Sequence, residues 1–426
     1  MRTHVRWLLF AVAGLAVIAA ALGLAFALLV PSNEEIAARI MQQAEDKLGV
    51  KVTLGEVSWQ LLPPALVIDG AATVQPQPIR IRRLVAQPSL GAALRRQLHF
   101  DHVLIDGAVM PQLSLRGLKV VPAPSGVATS AADNALPLDQ LRFRNLTWIT
   151  RHGKQLEFDG NVLFDPGWRP RQAEVVRPGV KPLTRLTLTR DGTDDRWQLA
   201  LALGGGTANG EVTVSQGKDG GLQLKGRLEP RDVEVASALA AFKRHSAVNG
   251  KASGQTVLSA SGQAVGELAR SLHTRTNFTV AGATLLQFDV EKAIRSFGQD
   301  RAGQTTLKSL EGQMDTQNTP DGMVVRYSAL QARGESFSAT GQGTIANRQI
   351  EGELTVDLAG GLVAVPLKVA GPLDAPQVTV PRSVVAGAAI GTAVLPGVGT
   401  VIGARVGAAV GKIFGDGASK PAPPAR

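Results

Sequence analysis

The feature that most constrains the fold of this chain is a repeated alternation of apolar and polar residues. In residues 197–203 an apolar side chain occupies every second position on one face, and residues 212–214, 222–228 and 354–358 repeat the pattern. Successive side chains of a β-strand point to opposite faces of the sheet, so each segment predicts a strand with one apolar face. Such strands are typical of antiparallel sheets whose other face meets water.

The segments between these strands are rich in glycine, which accounts for 47 of the 426 residues. Glycine supplies the positive φ that tight turns need and destabilises long helices, so the sequence predicts many short strands. Helical periodicity is confined to residues 36–48, 89–97, 235–245, 265–272 and 288–297. The predicted fold class is mainly β with few helices, an elongated antiparallel β groove or sandwich.

The apolar face of this predicted sheet has to be shielded from water, and the sequence is compatible with two ways of shielding it. A second sheet or the few helices would make the face a closed core, whereas bound acyl chains would make it a groove. The candidates for contact with an acyl chain are the apolar members of three consecutive predicted strands: Leu199, Leu201, Leu203, Val212, Val214, Leu222, Leu224 and Leu228.

An uncharged run of 24 residues extends from Trp7 to Val30, just after Arg2 and Arg6. At 1.5 Å per residue a helix of this length reaches roughly 36 Å, which crosses a hydrocarbon core of about 30 Å. The run is too long for a cleavable signal peptide, although residues 25–27 are a passable cleavage site. The two arginines lie in the short segment that precedes the run, which predicts a cytoplasmic N-terminus and a single-pass anchor. Everything beyond Pro31 is then expected outside the cytoplasm.

Further boundaries follow from local signals. Ser32 and Glu35 have the spacing of a capping box, and Gly49 is placed to end the helix that follows. Residues 122–135 hold few large apolar side chains and predict a linker. The predicted domains are the cytoplasmic N-terminus (1–6), the anchor (7–30), an N-terminal region (31–121), the linker (122–135), a β-rich body (136–381), a Gly-rich apolar hairpin (382–416) and a disordered tail (417–426).

Charge and cysteine content exclude several functions. The chain has no cysteine, so it has no disulfide, thiolate metal site or thiol nucleophile. A formal net charge of +10 is compatible with nucleic acid, an anionic membrane surface or simply a solvated basic surface. Because the anchor predicts export and no nucleic-acid-binding motif is present, nucleic acid is not a predicted partner.

Motifs of catalysis are absent from the sequence. It contains no Gly-x-Ser-x-Gly, no His-Glu-x-x-His and no phosphate-binding loop. The run of glycines at 204–206 predicts a hairpin turn. On a strand His99 and Asp101 share one face while His102 points to the other, so they predict a solvated strand and not a metal site. No catalytic residue, metal ligand or cofactor is predicted, and the chain is not expected to be an enzyme.

Ten short segments follow one another in a recognisable order. The N-terminal region contains IAARI (36–40), LGVKV (48–52), VSWQLLP (57–63), QPSL (87–90) and VLIDG (103–107). Residues 245–381 contain LSASG (258–262), ELARSL (267–272), FTVAGA (278–283), FDVEKAI (288–294) and PLKVAGPLDAP (366–376). Together with the anchor, this order resembles the AsmA family over about two-thirds of the chain.

The resemblance implies a protein of the Gram-negative inner membrane with a periplasmic β-rich body. It also implies a relation to bridge-like lipid-transfer proteins, whose long grooves carry phospholipid tails, and a contribution to lipid transport and outer-membrane biogenesis. The expected partners are membrane phospholipids and inner- or outer-membrane assembly proteins. The alternative that the sequence leaves open is a scaffold or regulator of outer-membrane protein assembly that transports no lipid.

The C-terminal segment lies outside this resemblance. Its glycines recur at a strict spacing of four residues, at Gly399, Gly403, Gly407, Gly411 and Gly415. On a helix this spacing places every glycine on one face, where another helix can approach closely. Pro396 favours a turn, so residues 382–416 predict a helical hairpin that either contacts a membrane or packs as a soluble helix pair.

Overall fold

The computed structural model describes residues 33–379 except positions 62, 90, 93–98, 119–137, 166–168, 193–194, 217–220, 263–267, 269, 297–298, 301, 320–321, 359–362 and 374. The predicted anchor (7–30), linker (122–135), hairpin (382–416) and tail (417–426) lie outside the described residues. None of the helices in the described part of the chain combines the length and the hydropathy needed to cross a bilayer.

The described chain is mainly β with few helices, as the alternation predicts, and its 21 strands are hydrogen-bonded into a mixed sheet. It divides into two compact units. The first unit comprises the described residues up to Val233 together with Ser237–His245 and Val257–Leu272. The second comprises Glu234–Ala236, Ser246–Thr256 and the described residues from His273 onward.

The first unit begins with a helix and continues as a series of strands. Its elements are α1 (Asn33–Leu48), β1 (Val52–Leu61), β2 (Pro64–Thr73), β3 (Arg80–Pro88), β4 (Phe100–Pro111), a 3-10 helix (Gln112–Gly117), β5 (Leu138–Ile149), β6 (Gln155–Asp165), β7 (Arg169–Val176), β8 (Arg185–Arg190), β9 (Arg196–Leu203), β10 (Gly206–Gln216) and β11 (Leu222–Arg231). After β12 (Val233–Glu234) follow α2 (Val235–Ala240) and β13 (Val248–Gly262), which contribute residues to both units.

The prediction that the sheet is antiparallel throughout is wrong at one place. Strand β5 pairs with β4 in parallel, with Phe100 opposite Leu138 and Pro111 opposite Ile149. The other pairings of known register, β1 to β4 and β5 to β11, are antiparallel. A parallel pair cannot be joined by a tight hairpin, and the long connection 112–137 between the two strands supplies the return that it requires.

Helix α1 forms where the four-residue period predicts it. Ile40, Ala44 and Leu48 recur on one face and are buried in the core of the first unit. Gly49 has a φ of +71° and donates its amide hydrogen to the carbonyl of Glu45 at 2.8 Å, so it ends the helix in the left-handed conformation that glycine adopts without strain. The apolar side of α1 thereby covers the strands that follow it.

The main core of the first unit lies under strands β1 to β7. Its largest fully buried side chains are aromatic: Phe143 and Trp148 on β5 and Phe158 on β6. They pack together with apolar residues of α1 and with Phe242, which follows α2. This part of the sheet is closed by protein side chains, as the sandwich alternative would require.

The second unit has its own core. Its strands are β14 (His273–Leu285), β15 (Thr305–Thr306), β16 (Ser309–Thr319), β17 (Gly322–Arg333), β18 (Phe337–Ala346), β19 (Gln349–Leu358), β20 (Val363–Pro372) and β21 (Gln377–Thr379), and its helix is α3 (Val290–Arg295). Val290 and Ala293 of α3 pack with Val280, Val356 and Leu367 of the strands. The short α3 therefore covers one part of the apolar face of this unit.

Candidate functional site

The candidate site is the apolar face of strands β9, β10 and β11 in the first unit. The strand register places Leu199 opposite Gly210 and Leu201 opposite Ala208. On the other side of β10, Val214 lies opposite Leu224. Because alternate residues of a strand share a face, the structure brings all eight residues predicted from the sequence to this one face. We refer to it below as the β9–β11 face.

The eight residues differ in burial. Val212 (5% exposed), Leu224 (8%) and Leu228 (2%) belong to a small core cluster. They pack there with Leu258 of β13 and with Leu268. The remaining five residues are half-buried: Leu199, Leu201, Leu203, Val214 and Leu222. Leu199, Val214 and Leu222 pack against this cluster and Leu203 against the main core, so the chain itself covers much of the β9–β11 face and leaves it only partly accessible. Alternation alone does not reveal this difference in burial.

Small residues occupy part of the middle strand of this face. Gly210 separates Leu199 from Leu228, and Ala208 stands beside Leu201. A Cβ atom on Gly210 would lie 2.0 Å from the carbonyl oxygen of Arg227, so no larger residue fits there without moving the strands apart. That Cβ position also lies 2.8 Å from Cδ2 of Leu228, and Ala208 is 2% exposed, so side chains of the chain itself cover this part of β10.

The turn that joins β9 to β10 is the glycine hairpin that the sequence predicts. Leu203 pairs with Gly206, which leaves a two-residue loop of Gly204 and Gly205. Their φ values are +57° and +75°, the left-handed conformation that a primed hairpin turn requires at both positions. This turn fixes the register that brings the leucines of β9 opposite the small residues of β10.

The opposite face of the first unit carries ion pairs. Arg196 lies 3.3 Å from Glu211, and Arg185 lies 2.9 Å from Glu174. These side chains are about half exposed, so each pair contributes little stability. Their position shows that the sheet is amphipathic, with charge on one face and leucine on the other.

The second unit contains an aromatic pair that the sequence analysis did not single out. The rings of Phe278 and Tyr327 meet edge to face, with centroids 6.4 Å apart. Between their strands lies Gly312, where a Cβ atom would come within 3.3 Å of the Phe278 ring and 2.8 Å of Leu330. Both aromatic residues are half-buried on the apolar face of this unit. The alternation around Phe278 was the available signal for this pair.

Burial raises the pKa of Tyr327 above its ordinary value of 10.0, because a phenolate loses hydration in apolar surroundings. Tyr327 is the only tyrosine of the chain, so the ultraviolet absorbance of tyrosinate reports on it alone. We expect the folded chain to titrate above pH 10 and the urea-unfolded chain near 10. The folded state binds this proton more tightly, so the free energy of unfolding falls as the pH rises from 10 through the raised pKa. A folded-state titration at or below 10 would contradict the burial of this ring.

A histidine and two aspartates meet at the parallel strand pair. His99 Nε2 lies 3.0 Å from an oxygen of Asp139 and 3.9 Å from one of Asp101. The shared face of His99 and Asp101 is as predicted, whereas Asp139 joins them because β5 pairs with β4 in parallel. Asp139 is mostly exposed, and a contact between the imidazole and the carboxylate accounts for its closeness to His99. The three groups offer one ligand atom each within 4.8 Å of one another, an arrangement that exposed acidic groups also form without a metal.

Comparison of the chain with models of protein families, with curated proteins and with solved structures finds no match. The case for a function therefore depends on the geometry of the two units and on the order of sequence segments described above. Within that geometry, the half-buried leucines of the β9–β11 face are partly accessible apolar residues that the sequence predicts as contacts for an acyl chain.

Proposed function

We propose that this chain is a membrane-anchored protein that binds phospholipid acyl chains on the β9–β11 face and contributes to lipid transport and outer-membrane biogenesis. The observation that carries the proposal is the half-burial of Leu199, Leu201 and Leu203 on one face of strand β9. Apolar side chains left accessible next to one another are favoured to bind another apolar surface.

The energy available from such contact is adequate for binding. Burying one methylene group contributes about 0.8 kcal/mol, so about ten methylenes laid along the face would contribute roughly 8 kcal/mol before the ordering of the chain is subtracted. The charged opposite face argues against a second apolar partner on that side. An acyl chain suits the β9–β11 face because a flexible chain can follow an uneven apolar surface and needs no hydrogen bonds.

The proposal includes the place of the protein in the cell. Residues 7–30 would anchor the chain in the inner membrane of a Gram-negative bacterium, with the N-terminus in the cytoplasm and the body in the periplasm. The glycine-faced hairpin 382–416 would give a second membrane contact. The order of segments that resembles the AsmA family supports this arrangement, because that family combines an inner-membrane anchor with a periplasmic β-rich body.

A second candidate function is a scaffold or regulator of outer-membrane protein assembly that carries no lipid. Its support is the closed part of the same face, where Val212, Leu224 and Leu228 are buried by the chain itself. In this reading the half-buried leucines of β9 would contact an assembly protein. The two candidates differ in whether lipid accompanies the purified protein.

The test of the proposed function is to extract the full-length chain from membranes in a neutral detergent and to examine it by native mass spectrometry. We expect bound phospholipid that survives extensive washing. A membrane-anchored protein without apolar binding sites, extracted and washed identically, is the control for annular lipid. Recovery of no more lipid than in that control would contradict the proposal and favour the scaffold.

A further inference from the structure

The first unit contains a buried arginine that has no ionic partner within 4 Å among the residues that the structure describes. Arg177 follows β7 and is 6% exposed. Its guanidinium carbon lies 5.1 Å from the centre of the Phe158 ring and 5.9 Å from that of Phe242. Contact with an aromatic ring offsets part of the cost of removing the cation from water. It leaves the N–H groups of Nε and Nη1 without acceptors among the described residues.

Those N–H groups are unpaired in the structure. Nε and Nη1 of Arg177 have no hydrogen-bond partner, and burial lowers the pKa of this side chain. Glu157 acts on Arg177 through its charge alone, and it is exposed on the opposite face of β6. An arginine remains charged at neutral pH, so a buried and unpaired guanidinium is costly and calls for an explanation.

Two other buried polar groups on the same face of the sheet also lack hydrogen-bond partners among the described residues. The amide of Arg177 donates to the carbonyl of Thr184 at 3.0 Å, so the two side chains lie side by side on one face. The hydroxyl of Thr184 is buried and also has no partner. The indole N–H of Trp148, on the same face of β5, is a third unpaired group. In the described part of the first unit, three buried polar side chains on one face of the sheet therefore lack hydrogen-bond partners, and two of them, Arg177 and Thr184, lie side by side.

Arg177 and Thr184 lie at the end of the β9–β11 face. Arg185 pairs with Ala202, so the preceding Thr184 lies beside Leu203. Leu203 is one of the half-buried leucines and packs against the main core. Arg177, Thr184 and Leu203 are therefore neighbours in a row across the sheet. The cation of Arg177 is at one end of the row, and the partly accessible side chain of Leu203 is at the other.

We propose that Arg177 and Thr184 bind the oxyanion of an amphiphile, the phosphate of a phospholipid, whose acyl chain lies along the β9–β11 face. This inference rests on the proposed function. Phe158 and Phe242 lie against the guanidinium and supply no oxygen acceptor to Nε or Nη1. Phosphate oxygens are strong acceptors for a guanidinium, and the threonine hydroxyl supplies a further donor. Arg177 and Thr184 are 6% and 5% exposed, so the ligand enters only when the side chains that cover them, Phe242 among them, move aside.

The test compares Arg177→Met with the matched control Arg185→Gln in the full-length chain. Arg185 carries the same charge, is exposed on the opposite face and lies next to Thr184 in sequence. Each protein is mixed in neutral detergent with equal amounts of dioleoyl phosphatidylglycerol and dioleoylglycerol, and bound lipid is counted by native mass spectrometry. These lipids share their acyl chains, and only the first carries a head group with a phosphate, a phosphoglycerol.

We expect the wild-type chain and Arg185→Gln to prefer the phospholipid, and Arg177→Met to lose about tenfold of that preference while still binding dioleoylglycerol. Because methionine removes an unpaired charge, the variant should melt at the same temperature or higher in the absence of lipid. An unchanged preference, or a large fall in melting temperature with the preference retained, would overturn the inference.

Three further outcomes distinguish a failure of the proposed function from a failure of the oxyanion site. If the wild-type chain binds neither lipid, the proposed function fails. If it binds both lipids equally, acyl-chain binding stands and the oxyanion site is overturned. If inorganic phosphate alone raises the melting temperature of the wild-type chain but not of Arg177→Met, and phospholipid adds nothing, then the site takes free phosphate and its assignment to an amphiphile is overturned.

Discussion

Leu201→Asp is expected to abolish acyl-chain binding without unfolding the protein, whereas Leu224→Asp is expected to unfold the first unit. Leu201 is half-buried, so its replacement carboxylate reaches water and only the accessible part of the β9–β11 face acquires a charge. Leu224 is buried with Leu258 and Leu268, and an unpaired carboxylate there costs several kcal/mol. A domain of ordinary stability, about 5–15 kcal/mol, loses much of its stability to such a change.

Lipid content by native mass spectrometry and thermal unfolding by circular dichroism check the two variants together. The matched control is Ala200→Asp, which places the same charge on the same strand but on the exposed opposite face. The control should fold and bind lipid as the wild-type chain does. If Leu201→Asp unfolds as completely as Leu224→Asp, the face is a closed core and the acyl-chain proposal loses its basis.

Gly254→Ala is expected to destabilise the second unit by about 1–3 kcal/mol, a large effect for the addition of one methyl group. A Cβ atom at Gly254 would lie 2.0 Å from the backbone carbonyl oxygen of Asn277. A backbone atom cannot rotate away as a side chain can, so the two strands would have to separate. Urea unfolding followed by circular dichroism measures the change in the free energy of unfolding.

Gly343→Ala is the control for that substitution. Gly343 also lies within a strand of the second unit, but its nearest neighbours would be 3.2 and 3.5 Å from the added atom. We expect a change of less than about 1 kcal/mol, because the neighbouring strand has to shift by only a few tenths of an ångström to admit the methyl group. Equal destabilisation by both variants would show that loss of glycine, and not close approach of the strands, causes the effect.

Local chemistry explains what the sequence could predict. The leucines of β9 and β11 share a face because side chains alternate along any strand. Gly49 ends α1 and Gly204 begins the hairpin because both adopt a positive φ. Each of these features depends on residues within a few positions of one another, so periodicity and turn chemistry suffice to identify them.

Burial within a predicted face could not be predicted in the same way. Leu201 and Leu224 look alike in sequence, yet only Leu224 is covered by Leu258 and Leu268. Nothing in the sequence around Arg177 predicted that its side chain is buried. Its burial depends on Phe158 and on Phe242, which follows a helix much later in the chain. Such contacts between distant segments are set by the packing of elements and leave no periodic trace.

The parallel pairing of β4 with β5 has a consequence for the order in which the chain assembles. Neighbouring strands joined by hairpins form from local contacts within about 1–10 μs, but β5 can join β4 only after residues 112–137 have closed a long loop. The N-terminal strands emerge first during synthesis, so β4 remains an open edge until β5 arrives. In that interval its unpaired backbone groups can pair with a strand of another chain, and crowding of nascent copies would convert this edge into a site of aggregation.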